Sequence, residues 1–257
     1  MSTTNRIFYL LVLLPVLFTS CKKDNDAPGG TMTDPCNRIV TVSYYSPYVP
    51  PTWRLTATVE YDDKGRVKKV IGEGQNAATY TYHNDRIELV ATDIFGADIS
   101  ATYFLDGNGR VTRTNHFDHK ITYDAEGHLI TYRKPYGTGG QITGYNSYNL
   151  KYENGNLVQV TSTDNNVLYS QIDFTYYDEP NQDLLGYNQP LYIAGILGDR
   201  NTFFLTSAGF FGKQSKNLYK SVDMNDGYTH GTVQYTADAK GRKTSTAAAF
   251  KFDYQCP

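Results

Sequence analysis

The chain has 257 residues, of which 19% are charged, with a net charge of −2. That length buries a sizeable core in one large β domain or two small ones, and the near-neutral balance with scattered Lys and Arg excludes a nucleic-acid binder. Twenty-three Tyr against one Trp and three Met point to strands, because a ring with a hydroxyl tip covers a thin sheet and still meets water.

Arg6 precedes a twelve-residue apolar run, residues 7–18, interrupted only by Pro15. A membrane-spanning helix needs about 20 residues, so residues 1–20 read as a secretory signal peptide. The run ends in Leu17-Phe18-Thr19-Ser20-Cys21. Here the chain resembles a bacterial lipoprotein precursor with its lipobox, which implies cleavage before Cys21 and acylation of its thiol and new amine. An ordinary signal peptide followed by an unrelated Cys is the alternative. Residues 21–35, the lipidated Cys and a polar, Pro- and Gly-containing segment, read as a flexible tether. Lys22-Lys23-Asp24-Asn25-Asp26 looks like the export signal of Bacteroidota surface lipoproteins. That implies an outer-membrane lipoprotein displayed at the cell surface, with a periplasm-facing anchor as second choice.

Residues 36–257 read as a single β-hairpin domain. Cys36 opens it and Cys256 lies next to its end, so in an oxidising compartment they are a candidate disulfide tying the first strand to the last. Closing so long a loop is worth roughly 5 kcal/mol in the chain-entropy account. Tyr44, Tyr45, Tyr48 and Trp53 then set four rings among three prolines, a stiff loop suited to stacking on sugar faces. Rings that simply pad the end of a sheet are the alternative.

Residues 59–70, VEYDDKGRVKKV, are the repeating unit: alternating runs flank Asp62-Asp63-Lys64-Gly65, a quartet with tight-turn chemistry. Related units occupy 101–113, 121–132, 150–160 and 233–245, with a shortened one at 79–90. Tyr61, Tyr82, Tyr103 and Tyr123 are spaced 21, 21 and 20 residues apart, a period that predicts successive hairpins with strands of roughly 7–9 residues. Alternation predicts one dry face, with Ala57, Val59 and Tyr61, Leu150 and Tyr152, Phe174 and Tyr176, and Phe250, Phe252 and Tyr254 on it. Two stretches with chemical potential read as bends. His116 and His119 face opposite sides of a strand, and residues 106–109 lack the acidic ligand that a calcium loop needs. A second Tyr-bearing loop, residues 135–148, holds Tyr136, Tyr145 and Tyr148. In residues 180–217 alternation fails, and Leu184, Leu185, Ile193, Ile196 and Leu197 are followed by Phe203, Phe204, Leu205, Phe210 and Phe211. This predicts a short helical insert near 183–211 that plugs the apolar face of the sheet.

The Tyr-Asp-x-x-Gly-Arg units resemble the YD repeats of Rhs-type surface and toxin-shell proteins, where they form long spiralling sheets. With the Cys anchor and the GKQSKNLYKSV segment at 212–222 before a final DAKGR hairpin, the chain looks like the Bacteroidota lipoproteins of unknown function described as having a porin-like fold. That resemblance covers nearly all of the mature chain and implies no catalytic residue. The expectation is an all-β antiparallel meander of about 13 strands, curled or partly closed into a barrel-like sheet. The expected function is that of a monomeric, non-enzymatic outer-membrane protein, without cofactor or metal, which binds a glycan or a surface protein or serves as a structural component. A carbohydrate-active hydrolase is the alternative and a membrane pore the third reading.

Overall fold

An alternating strand leaves one face dry, and a twisted sheet of many such strands must curl until its dry faces meet or are covered. The computed structural model of this chain describes residues 38–45, 54–72, 77–92, 96–115, 119–138, 141–182, 200–225, 230–246 and 250–255. The expected signal peptide and tether, residues 183–199 of the expected insert, Cys21, Cys36, Cys256, Tyr48 and Trp53 lie outside them.

In chain order the strands are β1 (Arg38–Tyr45), β2 (Arg54–Tyr61), β3 (Val67–Gly72), β4 (Ala77–Tyr82), β5 (Arg86–Val90), β6 (Ala101–Leu105), β7 (Val111–Thr114), β8 (Lys120–Tyr123) and β9 (Leu129–Thr138). They continue as β10 (Gln141–Glu153), β11 (Asn156–Asp164), β12 (Val167–Pro180), helix α1 (Arg200–Ser207), β13 (Asn217–Met224), β14 (His230–Thr232), β15 (Tyr235–Ala237), β16 (Lys243–Thr246) and β17 (Phe250–Gln255). All pairings are antiparallel. A ten-stranded sheet runs β15-β16-β17-β1 and on to β7, and a seven-stranded sheet runs from β14 back to β8. The architecture is thus the expected meander, with 17 strands rather than about 13. Five of them have only three or four residues, and residues 230–237 count twice because they change sheets.

The two sheets do not form a closed barrel. At one seam, residues 230–237 leave β13 and join β16; Val233 N–H still donates to Lys220 O at 2.7 Å, and Tyr177 and Tyr235 hydroxyls donate to Val233 O and Tyr219 O at 2.8 and 3.0 Å. At the other seam, β7 and β8 do not pair. The plug supplies the missing partner: Val111 N–H donates to Phe210 O at 2.8 Å, while Val111 O accepts from the Tyr123 hydroxyl at 2.6 Å. A backbone edge that would otherwise be buried unsatisfied is thereby closed.

The dry face is the expected one. Val59, Leu150, Phe174 and Phe252 are buried, their neighbours Glu60, Lys151, Thr175 and Lys251 are exposed, and one interior cluster gathers the apolar residues of both sheets. Helix α1 lies within it. Its eight residues, rich in Thr and Phe, are poor helix formers, so packing rather than propensity holds them. Phe204 meets Tyr80 edge-on at 6.3 Å, Phe210 stacks on Tyr82 at 5.6 Å and Phe211 meets Tyr103 edge-on at 6.2 Å. With Leu205, these side chains are buried, each worth roughly 1.5–3 kcal/mol. Gly209, with φ of +79°, ends the helix as Phe210 N–H returns to Leu205 O at 3.0 Å.

Candidate functional site

Antiparallel order sorts the connections into two rims. The near rim holds the turns at 62–66, 83–85, 106–110, 124–128, 154–155 and 238–242, residues 213–216 and the starting end of β1. The far rim is the opposite end of the strands, where β1, β3, β5, β9 and β11 finish; of its connections, 165–166 is described in full.

Near-rim chemistry is concentrated in the repeated turn. Asp62 Oδ1 accepts from Lys64 N and Arg66 N at 3.0 and 2.8 Å, and Oδ2 accepts from Arg66 Nε at 2.8 Å. Asp106 with Arg110 and Asp238 with Arg242 repeat this, their Nε–Oδ2 distances being 3.0 and 2.7 Å. Gly65, Gly109, Gly127 and Gly241, with φ of +79°, +77°, +94° and +78°, occupy the left-handed position that closes each turn. Each Arg then covers a Tyr of a later hairpin: Arg66 over Tyr82, Arg110 over Tyr123 and Arg242 over Tyr254, at 4.1, 4.5 and 4.6 Å from the ring centres. Those Tyr hydroxyls donate to Val67 O, Val111 O and Lys243 O at 2.7, 2.6 and 2.7 Å. Burial opposes ionisation of Asp62 and Asp106, but the backbone and guanidinium hydrogen bonds and the charge of their Arg partners outweigh it and hold both carboxyls below the usual range. Burial pushes the Tyr82 and Tyr123 hydroxyls up. These carboxylates are turn fasteners.

The 20- to 21-residue period needs one correction. Tyr61 pairs with Val67 and Tyr123 with Leu129, but the equivalent pair in the third unit is Leu105 with Val111. Tyr103 sits earlier on β6 with its ring against Phe211, so its spacing is coincidental. The shortened units also turn differently. Asn154 and Gly155 both have positive φ, 52° and 79°, as a two-residue hairpin requires.

A metal-like cluster went unnoticed in the sequence: ligand atoms of Asp124, Glu126 and His128 lie within 4.8 Å of one another. Aligning residues 121–132 on 59–70 explains it, since His128 takes the place of Arg66. Its backbone N–H and Nδ1 meet Asp124 at 2.8 and 3.0 Å, and its ring stacks on Tyr152 at 4.5 Å. The group is a turn with His in the Arg role. Residues 106–109 are likewise a turn, as expected. His119 Nδ1 lies 3.1 Å from Thr114 Oγ1 with its ring beside Tyr132, and His116 lies outside the described residues.

The far rim is different. Strands β9, β10 and β12 have 10, 13 and 14 residues, against four to eight for β1–β8, and their registers carry them at the far rim past their neighbours β8 and β13. In the projection Tyr136 faces Gly144, whose hypothetical Cβ would fall 2.4 Å from Tyr136 Cζ, so glycine there lets the ring lie across the strand. The Tyr136 hydroxyl donates to Asp164 Oδ1 at 2.5 Å and accepts from Asn165 Nδ2 at 3.0 Å. The Asp164 hydrogen bond pushes that hydroxyl's pKa up. Asn165 also accepts from Tyr145 N–H at 3.2 Å, and Arg133 lies 3.6 Å from the Tyr145 ring centre. Beside this rigid lattice, Ile142, Val167, Leu168 and Tyr169 are 50%, 70%, 58% and 81% exposed. Tyr44 and Tyr45, expected to bind ligand, end β1 on this same rim, paired with Leu55 and Arg54. Their expected companions Tyr48 and Trp53 lie outside the described residues. The exposed quartet was missed because strand alternation assigns Val, Leu and Ile to a core.

A family described as a domain of unknown function with a porin-like fold matches residues 57–253. Two crystal structures are similar in fold. A porin-like protein from Bacteroides uniformis is 13% identical with a TM-score of 0.63, covering 84% of this chain and 98% of its own. A porin-like protein from Bacteroides vulgatus is 13% identical with a TM-score of 0.57 and the same two coverages. No curated protein matches the chain.

Proposed function

This chain belongs to the family of unknown function with a porin-like fold, and on that premise we propose that it is a lipid-anchored, non-enzymatic surface protein that binds a glycan through its far rim. The observation that carries the reading is the exposure of Ile142, Val167, Leu168 and Tyr169 on the one part of the sheets that projects. These side chains lie towards the far-rim ends of β10 and β12, where an occupant that covered them would remove apolar surface from water. Tyr rings give pyranose faces a flat partner, and the Tyr136–Asp164–Asn165 lattice limits the ordering that binding requires. The anchor follows from the sequence at Cys21. Its tether enters β1 at the near rim, so the projecting rim lies at the other end of the sheets. The aliphatic trio Ile142, Val167 and Leu168 favours a second reading, in which the ligand is a protein.

The porin-like description does not extend, in this reading, to a pore. A bilayer-spanning barrel needs an apolar outer band. Here the interior is apolar and filled by α1, while Glu60, Glu88, Lys151, Asp173, Lys220 and Lys251 lie on the outer face of strands in both sheets. Strand length does not argue the point, since β9–β12 reach the nine or more residues that spanning requires. Nor does a hydrolase find support in the near-rim carboxylates, which fasten turns.

Titrating the mature chain with a panel of polysaccharides, read by Trp53 fluorescence and by calorimetry, tests the proposal. Binding that Tyr169→Ala or Tyr48→Ala removes is expected; binding that survives both, with Tyr44 and Tyr45 also changed to Ala, would overturn the far-rim site. Cys21→Ala is expected to release the protein from membranes, and unchanged pelleting after a carbonate wash would refute the anchor.

A further inference from the structure

The inward face of the second sheet changes character along its strands. Register aligns Leu150, Val160 and Ile172 in a row across β10, β11 and β12, and then Tyr132, Tyr148, Ser162 and Ser170 in a row that includes β9. Leu150, Val160 and Ile172 are core residues, and Tyr132 and Ser162 are still buried. Two residues closer to the far rim, the same face presents a row of Lys134, Asn146, Asp164 and Val167, and past it Tyr136 opposite Gly144. Here Lys134, Asp164 and Val167 are exposed and Asn146 is half-buried. This row lies past Arg133, where pairing with β8 ends, and past Ile172, where pairing with β13 ends. Alternation puts these rows on one face. The Tyr136–Asp164 hydrogen bond, which reaches from β9 to β11, agrees with that placement.

The polar groups of this face are not used by the fold. The side chains of Lys134 and Asn146 have no hydrogen-bond or ion-pair partner among the described residues, and neither does the Tyr148 hydroxyl. Elsewhere the scaffold consumes such hydroxyls: those of Tyr61, Tyr82, Tyr123, Tyr176 and Tyr254 each donate to a backbone carbonyl. The Tyr148 ring instead lies 6.2 Å from that of Tyr132. Burial and then the Tyr169 hydroxyl push the Tyr148 pKa up, which sets Tyr169 beside it. Asp164 Oδ1 accepts from Tyr136, and its Oδ2 is open. Neighbouring strands lie about 4.8 Å apart, so Lys134 on β9 and Asp164 on β11 start about 10 Å apart with Asn146 between them.

A sugar hydroxyl both donates and accepts, and so do the Asn146 amide and the Tyr148 hydroxyl, whereas the Lys134 ammonium only donates. A ligand that engages Lys134 must bring an acceptor, and an anionic acceptor makes the stronger bond. We propose that the far-rim ligand is an anionic glycan held on this inward face. Its pyranose rings lie on Tyr148 and Tyr169, its hydroxyls meet Asn146 and Asp164 Oδ2, and its carboxylate or sulfate meets Lys134. The proposal rests on the glycan reading of the far rim and adds to it the face that binds and the charge of what is bound.

The mature chain is titrated by calorimetry with a polyuronate, with the same polymer after reduction of its carboxyl groups to alcohols, and with a sulfated galactan. One of the two anionic polymers is expected to bind about tenfold more tightly than the neutral one. Lys134→Met should remove that preference and Lys134→Arg should keep most of it. Lys120→Met, which changes a charge on the outer face of β8, should leave it intact. The melting temperature should be the same in all three variants. Tighter binding of the polyuronate identifies the anion as a carboxylate and tighter binding of the galactan as a sulfate, and either supports the site. Equal affinity for charged and neutral polymers, or a loss in Lys120→Met as large as that in Lys134→Met, would overturn the anionic site while the glycan reading stands. If no polymer binds, the glycan reading falls and this site falls with it.

Discussion

The two rims are made from the same kind of strand and end in opposite ways. At the near rim the carboxylates of Asp62, Asp106, Asp124 and Asp238 are matched by an Arg or His four residues on, and in the three Arg turns the cation is also laid over a Tyr of a later hairpin. At the far rim, the projecting strands carry Val167, Leu168 and Tyr169 into solvent with no such matching. The difference separates what holds the fold from what is left for a ligand. Charged groups that satisfy one another cannot also recognise a partner, whereas exposed apolar groups are unfavourable until something covers them.

The comparison breaks most visibly if the plug is removed. Leu205 is fully buried at the centre of the α1 contact, so Leu205→Ala is expected to destabilise the chain by roughly 2–5 kcal/mol in urea denaturation. Because Phe210 O closes the β7 edge, faster hydrogen exchange at Val111 should accompany the loss. Protection of Val111 that survives would mean that the seam does not depend on the plug.

Near-rim turns should show smaller, pH-dependent effects. Asp106→Ala removes two backbone hydrogen bonds and the guanidinium contact, and about 1 kcal/mol or more is expected at neutral pH. Its carboxyl, like those of Asp62 and Asp124, is held below the ordinary Asp value in the folded chain. Each therefore stabilises the fold above the unfolded-state value of about 3.9, and that contribution disappears as pH falls through the lower folded-state value. Denaturation midpoints should drop on acidification below about pH 4, and the drop should be shallower in Asp106→Asn. An equal drop in variant and parent would sever the link between acid lability and these turns.

Far-rim substitutions should leave stability almost untouched. Tyr169→Ala, at 81% exposure, is expected to shift stability by less than about 0.5 kcal/mol, while abolishing ligand binding. Gly144→Ala sharpens the contrast, because its Cβ would displace Tyr136 from Asp164 without touching the core. Reduced affinity with an unchanged melting temperature is the expected result. A large loss of stability from either change would make the far rim a part of the scaffold.

Turns and faces were legible in the chain because their causes are local. Asp, Gly and Arg act on one another within five residues, and alternation sorts Val59 from Glu60 whatever lies across the strand. Residues 200–211 were readable as part of a plug from lost alternation and dense Phe. The rest depended on distance. Tyr103 could be told from Tyr61, because it stands three residues before its turn Asp and not one, but no local signal says that Val111 will meet Phe210 or predicts where one meander becomes two sheets, because such edges are chosen by contacts among residues far apart in sequence. Exposure of Val167 and Leu168 was hidden for a related reason. Side-chain type states what a strand can bury, and only the extra length of β9–β12 beyond their neighbours decides what it leaves outside. The sequence by itself therefore determined the hairpin, its turn and its dry face. Tertiary structure alone decided the seams, the pairing of Arg38 with Gln255 and the projecting rim, since each is a relation between distant segments rather than a property of either.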